Sequence, residues 1–231
     1  MFSVRHITSL CIVGLVAISA MACSRSESTP TMTITGGSAT ADPNALPHAK
    51  RNVGTDPGGV GAGTPLKARD GNELAEFAGG CFWGVEDRFR QVPGVVATAV
   101  GYTGGKTTNP TYEQVCTHTT GHAETVLVEF DPKQVSYQRL LDLFMANHDP
   151  TTLNRQGPDH GDQYRSAVFT FSDAQAETAK ATVAREQKKL GKPVVTVITP
   201  AVAFWKAEEY HQQYDEKSGT HSCPLVLPKS I

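Results

Sequence analysis

Six stretches between residues 73 and 171 repeat their apolar residues at one of two periods, and the order of those periods leaves few folds open. Glu73-Leu74-Ala75-Glu76-Phe77-Ala78 alternates like a half-buried strand. From Trp83 to Gln91 the spacing becomes helical, with Val85, Phe89 and Val92 on one side and Pro93-Gly94 as the stop. Val95 to Tyr102 is again a strand, turned by Thr103-Gly104-Gly105. A loop holding Asn109-Pro110 leads to a third strand, His122 to Phe130, which Asp131-Pro132 closes. Ser136 caps a second helix that aligns Tyr137, Leu140, Leu141, Phe144 and Met145. Tyr164 to Phe171 is the fourth strand. The order β-α-β-β-α-β predicts an α+β fold, a ferredoxin-like two-layer sandwich with its helices on one side of an antiparallel sheet. The capping box Ser172-x-x-Gln175 then opens a longer helix, ended by Gly191 and Pro193. Val194 to Ile198 adds a strand, and a polar coil follows Tyr214.

This pattern begins only a third of the way along the 231 residues. Met1 to Ala22 carries Arg5 and an apolar run from Leu10 to Ala20, which reads as a secretory signal too short to span a membrane comfortably. Two endings remain open. Ala20-x-Ala22 suits plain cleavage, whereas Ala20-Met21-Ala22-Cys23 is similar to a bacterial lipobox and would make Cys23 a lipidated first residue. The expected location is the cell envelope, periplasmic or held to the membrane through Cys23. Residues 23–71 are rich in Ser, Thr, Gly, Ala and Pro with almost no large apolar side chain, so they are expected to form a flexible linker. Residues 72–231 are long enough to bury a core as one domain. The net charge of −2, with both signs interspersed, offers no basic patch for nucleic acid.

The chemistry gathers at Gly80-Cys81-Phe82-Trp83-Gly84, where the first strand gives way to the first helix. A thiol in a first helical turn faces unpaired N–H groups and the positive end of the helix dipole, which favour the nucleophilic thiolate. Flanking glycines let a ligand approach, which a buried structural cysteine does not need. Period-two alternation puts Glu124 on the face of Val126, Val128 and Phe130, where loss of water raises a carboxyl pKa toward neutrality and fits it to donate a proton. Tyr102 and Tyr164 sit near strand ends, and Asp159 lies in the long loop from Asn147 to Gln163, whose length marks it as functional.

Six motifs occur in one order: Gly80-Cys81-Phe82-Trp83-Gly84, Gly101-Tyr102-Thr103-Gly104-Gly105, Gly121-His122-Ala123-Glu124, Asn147-His148-Asp149-Pro150-Thr151, Asp159 to Ser166, and Glu209 to Tyr214. In these the chain closely resembles the A-type peptide-methionine sulfoxide reductases, over nearly all of residues 72–223. The resemblance implies that Cys81 attacks the sulfur of the S-epimer of methionine sulfoxide while Glu124 protonates the oxygen and Tyr102 and Tyr164 hydrogen-bond it. It further implies that Phe82 and Trp83 hold the substrate methyl and that Asp159 helps hold the substrate. Cys81 would become a sulfenic acid, which a second thiol resolves to a disulfide. By family spacing from Tyr214 that thiol is Cys223, and a thioredoxin-like partner would reduce the Cys81–Cys223 disulfide. Relatives often carry Gly-Tyr before this cysteine and another cysteine after it; here His221-Ser222-Cys223-Pro224 stands with no later cysteine, so one resolving step is expected.

Oxidised proteins and free methionine sulfoxide are the implied substrates, and a monomer without cofactor is expected. Cys116 reads as structural. Cys116-x-His118-x3-His122 lacks the paired spacing of zinc frameworks, so no metal is expected. A general thiol peroxidase using Cys81 and Cys223 would need neither the carboxylate nor the aromatic slot. An envelope protein that binds methionine or metal without catalysis is a further alternative.

Overall fold

A computed structural model of the chain describes residues 52–60 and 65–219. The signal-like segment, Cys23 and Cys223 lie outside the described residues. The alternating apolar runs become β1 (Glu73–Ala78), β2 (Val95–Thr103) and β3 (Ala123–Phe130), with α1 (Phe82–Arg90) and the short α2 (Tyr112–Cys116) between them. There follow α3 (Tyr137–Ala146), the two-residue strands β4 (Arg155–Gln156) and β5 (Asp159–His160), and then β6 (Ala167–Thr170). The chain continues through α4 (Asp173–Leu190), β7 (Val197–Pro200), β8 (Trp205–Lys206) and α5 (Tyr214–Ser218). The class is α+β, as expected.

The main sheet has the order β7-β6-β1-β3-β2-β8. Every pairing in it is antiparallel except that of β6 with β7. Phe77 lies opposite Val126 and Val126 opposite Val100, so one face carries a continuous apolar row. The helices cover that row: the Phe77 ring lies 4.9 Å from Phe89 of α1 and 5.1 Å from Phe144 of α3, and Leu140 and Leu141 are fully buried beside them. Ser136 caps α3 by accepting from Arg139 N, and Ser172 caps α4 by accepting from Gln175 N, as their positions implied.

Several segments differ from expectation. The loop after Asn109-Pro110 contains α2, closed by a Thr111–Gln114 capping box. Tyr164 belongs to a 3-10 turn, Asp162–Tyr164, and not to the fourth strand, which starts at Ala167. The polar stretch after Gln213 begins with one turn of helix, α5. The largest correction concerns residues 52–60 and 65–71, which are no flexible linker. Gly54 bonds both ways with β2, donating to Val96 O at 2.8 Å and accepting from Thr98 N at 3.2 Å, and Val53 is buried. The fully buried Glu129 of β3 accepts from Gly58 N (2.8 Å), Arg69 N (3.0 Å), Arg69 Nη1 (2.7 Å) and Asn72 Nδ2 (2.8 Å). Hydrogen bonds to buried Glu129, to Arg90 and to β2 hold this strap, so its scarcity of apolar residues is a poor guide to its order.

Glu76 occupies the middle of β1 with no exposure, and neither carboxylate oxygen meets a donor in hydrogen-bond geometry. Burial pushes its pKa up to about 8, with the Thr103 hydroxyl opposing the shift. A raised folded pKa contributes stability that is complete below the unfolded value and is lost as pH rises through about 8. Glu76→Leu is expected to remove this dependence and to gain roughly 3–5 kcal/mol on the parent between pH 5 and 9. Urea midpoints measured across that range check it; parallel pH profiles for the two proteins would contradict it.

Candidate active site

Cys81 caps the N-terminus of α1 from a non-helical backbone conformation, half-buried, with its thiol at the wall of a cleft of about 280 Å³. The approach to it needs both preceding glycines. A Cβ on Gly79 would fall 2.6 Å from Phe144 Cε2, and one on Gly80, where φ is +101°, would fall 2.9 Å from the Gln156 side chain. Gln156 pins the long loop over this turn, accepting from Asp149 N at 3.0 Å and donating to Asp149 O at 2.7 Å. Asp159, three residues on in β5, thereby reaches the cleft wall.

Glu124 enters the cleft from the start of β3 and is buried. Its Oε2 accepts from Phe82 N at 3.2 Å, which ties the carboxyl to the turn that carries Cys81. Burial lifts its pKa to about 8; the Phe82 N–H opposes the rise and the charge of Asp159 adds to it. At neutral pH this group therefore holds a proton in a water-poor site, the state required of a general acid. Burial also raises the pKa of Asp159, with the charge of His160 opposing the rise.

The two phenols expected at the site have different fates. Tyr164 lines the cleft from its 3-10 turn. Burial, followed by the nearby carboxyls of Glu124 and Asp159, keeps it a neutral donor. Tyr102 shares a register position with Glu124, yet it does not line the cleft. Its ring packs 6.0 Å from Phe82, and its hydroxyl donates to Glu208 Oε2 at 3.0 Å; burial, then the carboxyls of Glu208 and Glu124, keep it neutral. The phenol on the second wall is Tyr112, the first residue of α2. Burial, then its hydrogen bond with Cys116, raises the pKa of that hydroxyl too, and its backbone N donates to Glu208 Oε1 at 2.9 Å. Glu208 thus fixes both phenol-bearing segments at once.

Phe82 is buried and Trp83 half-buried, side by side with ring centroids 6.4 Å apart. The indole is held from behind: Tyr214 stacks on it at 3.9 Å, and its Nε1 donates to His211 Nδ1 at 3.1 Å. Sequence reading quoted His211 and Tyr214 only as part of a motif and overlooked Tyr112, Gln156 and Glu208. The Thr111-x-x-Gln114 signature could have revealed α2 and so Tyr112.

Cys116 ends α2, half-buried, and lies near Tyr112 and Glu124. Its candidate metal partners face elsewhere. His118 Nδ1 bonds with Gln163 Oε1 at 2.7 Å, and His122 Nε2 bonds with Thr107 O at 2.8 Å. Among the described residues no three His, Cys, Asp or Glu side chains are placed to hold a metal, and no helix is long and apolar enough to cross a membrane.

A nucleophile at a helix start, a buried neutral acid, two phenols and an aromatic slot make a site for reducing a polarised sulfur–oxygen bond. The sequence model described as peptide methionine sulfoxide reductase matches residues 73–230. Peptide methionine sulfoxide reductase A2 of Arabidopsis thaliana is 57% identical over 151 residues, 65% of this chain and 69% of that one. The MsrA of Methanosarcina acetivorans is 60% identical over 153 residues, 65% of this chain and 81% of its own length. Among solved structures, methionine sulfoxide reductase A of Corynebacterium diphtheriae aligns with TM-score 0.65 and 36% identity, covering 78% of this chain and 94% of that one. Reduced Mxr1 of Saccharomyces cerevisiae aligns with TM-score 0.64 and 38% identity, over 68% and 93% respectively. The family match spans more than half of the sequence, and the chain belongs to the peptide methionine sulfoxide reductase family of oxidoreductases.

Proposed function

We propose that the protein reduces the S-epimer of methionine sulfoxide, protein-bound or free, and so repairs oxidised proteins. The observation that carries this reading is the buried Glu124 carboxyl, protonated at neutral pH and bonded to the turn that bears Cys81. Cys81 thiolate attacks the sulfoxide sulfur as Glu124 delivers its proton to the oxygen. Tyr112 and Tyr164 donate to that oxygen from the two walls, while Tyr102 holds Phe82 from below. The substrate methyl packs between Phe82 and Trp83, and Asp159 holds the polar end of the substrate in the cleft. The protonated oxygen then passes from the substrate sulfur to Cys81, the transient bond between the two sulfurs breaks, methionine leaves and Cys81 is left as a sulfenic acid. Cys223 thiol then attacks that sulfur, releasing water and forming the Cys81–Cys223 disulfide, which a thioredoxin-like dithiol reduces. The signal-like Met1–Ala22 supports placing this chemistry in the cell envelope, with Cys23 as the candidate lipid anchor.

Cys223→Ser separates the steps. A single turnover should still release about one methionine per enzyme, and a sulfenate-specific reagent should trap Cys81. Steady-state turnover with a thioredoxin-type reductant should collapse, while Cys116→Ser turns over as the parent does. Normal turnover of Cys223→Ser with loss in Cys116→Ser would assign resolution to Cys116 instead.

A further inference from the structure

The cleft at Cys81 does not end at the aromatic slot. It continues along α1 toward α3, where Val85, Arg88, Phe89, Leu143, Phe144 and Asn147 line it. That space exceeds what the five heavy atoms of one sulfoxide side chain need. Cys81, Val85 and Arg88 stand at i, i+4 and i+7, on one side of the helix. Long side chains on a helix lean toward its N-terminus, so Arg88 reaches back over the turn of Gly84, which has no side chain to obstruct it. Seven residues of helix are about 10 Å, and one turn of backward lean leaves the guanidinium roughly 5 Å along the axis from the level of Cys81. Four bonds separate the sulfur of methionine sulfoxide from its α-carboxyl carbon, a similar span.

The two arginines of α1 differ sharply. Arg90 is buried and fully engaged, with Glu216 at 2.7 Å, Thr98 Oγ1 at 3.1 Å and Val53 O at 3.0 Å. Arg88 is half-buried, and none of the described residues forms an ion pair or hydrogen bond with its guanidinium. It is also the only Lys or Arg among the described lining residues. A cation in a largely apolar stretch of the cleft, without a partner among the described residues, suits a planar anion, which a guanidinium binds through paired hydrogen bonds. Resting on the sulfoxide reading of the cleft, we infer that Arg88 forms a subsite for a substrate carboxylate beside the sulfoxide residue.

Three substrates test this: the methylamide of N-acetyl-methionine sulfoxide, N-acetyl-methionine sulfoxide with its free carboxylate, and a blocked peptide with Asp after the sulfoxide residue. The quantity read is the ratio of kcat/KM for each acid to that for the methylamide in the same enzyme, so any change in the common rate cancels. At low salt the parent should favour at least one acid by about two- to fivefold, with the advantage shrinking as salt is added. Arg88→Glu should bring the ratio below one, and Arg88→Lys should keep part of it. An advantage confined to the free acid identifies the α-carboxylate as the ligand, and one confined to the peptide identifies the neighbouring side chain. A ratio that Arg88→Glu leaves unchanged, or that ignores salt, overturns the subsite. Failure of the parent to reduce the methylamide overturns the sulfoxide reading and the subsite with it.

Discussion

Cys81→Ser is expected to release no methionine from methionine sulfoxide, even in the first turnover and with a strong dithiol present. A serine hydroxyl at a helix start remains protonated at neutral pH, and it has neither the nucleophilicity of a thiolate nor a stable oxygenated product. Quantifying methionine after mixing enzyme with excess sulfoxide checks this, with circular dichroism to show that the fold persists. Any turnover above the uncatalysed background would remove Cys81 from the reaction.

Glu124→Gln should slow reduction by about 10²–10⁴-fold, because the amide keeps the shape but has no acidic proton to deliver. The pH profile carries the more particular expectation. With its pKa near 8, Glu124 holds its proton through neutral pH, so the parent rate should fall as pH rises past about 8. The residual rate of the variant should lack that fall. Stability follows the same sign: the folded pKa is raised, so the contribution is complete below the unfolded value and lost as pH rises through about 8. Glu124→Gln should therefore gain on the parent in thermal melts at pH 9 relative to pH 6. A variant with parental rates across neutral pH would assign the proton donor to another group.

The strands and the main helices were legible because period and burial agree in them; every residue of β3 is buried, and its alternation decides which face each one takes. That alternation also located Glu124. Tyr102, placed by its position near a strand end, shares the face of Glu124 yet gives its hydroxyl to Glu208, 106 residues away in the chain. No local pattern announces such a partner. Tyr112 was hidden because α2 has only five residues, too few for a hydrophobic period. Residues 52–60 and 65–71 read as linker because composition reports apolar burial, whereas Glu129 and Arg90 hold them by hydrogen bonds.

The most direct measurement mixes the protein, without reductant, with each separated epimer of N-acetyl-methionine sulfoxide methylamide and counts the methionine product per enzyme. The S-epimer should give a rapid burst of about one equivalent and the R-epimer none, since Cys81 can be oxidised only once before it is recycled. A burst from the R-epimer of similar size and rate, or no burst from either, would contradict the account.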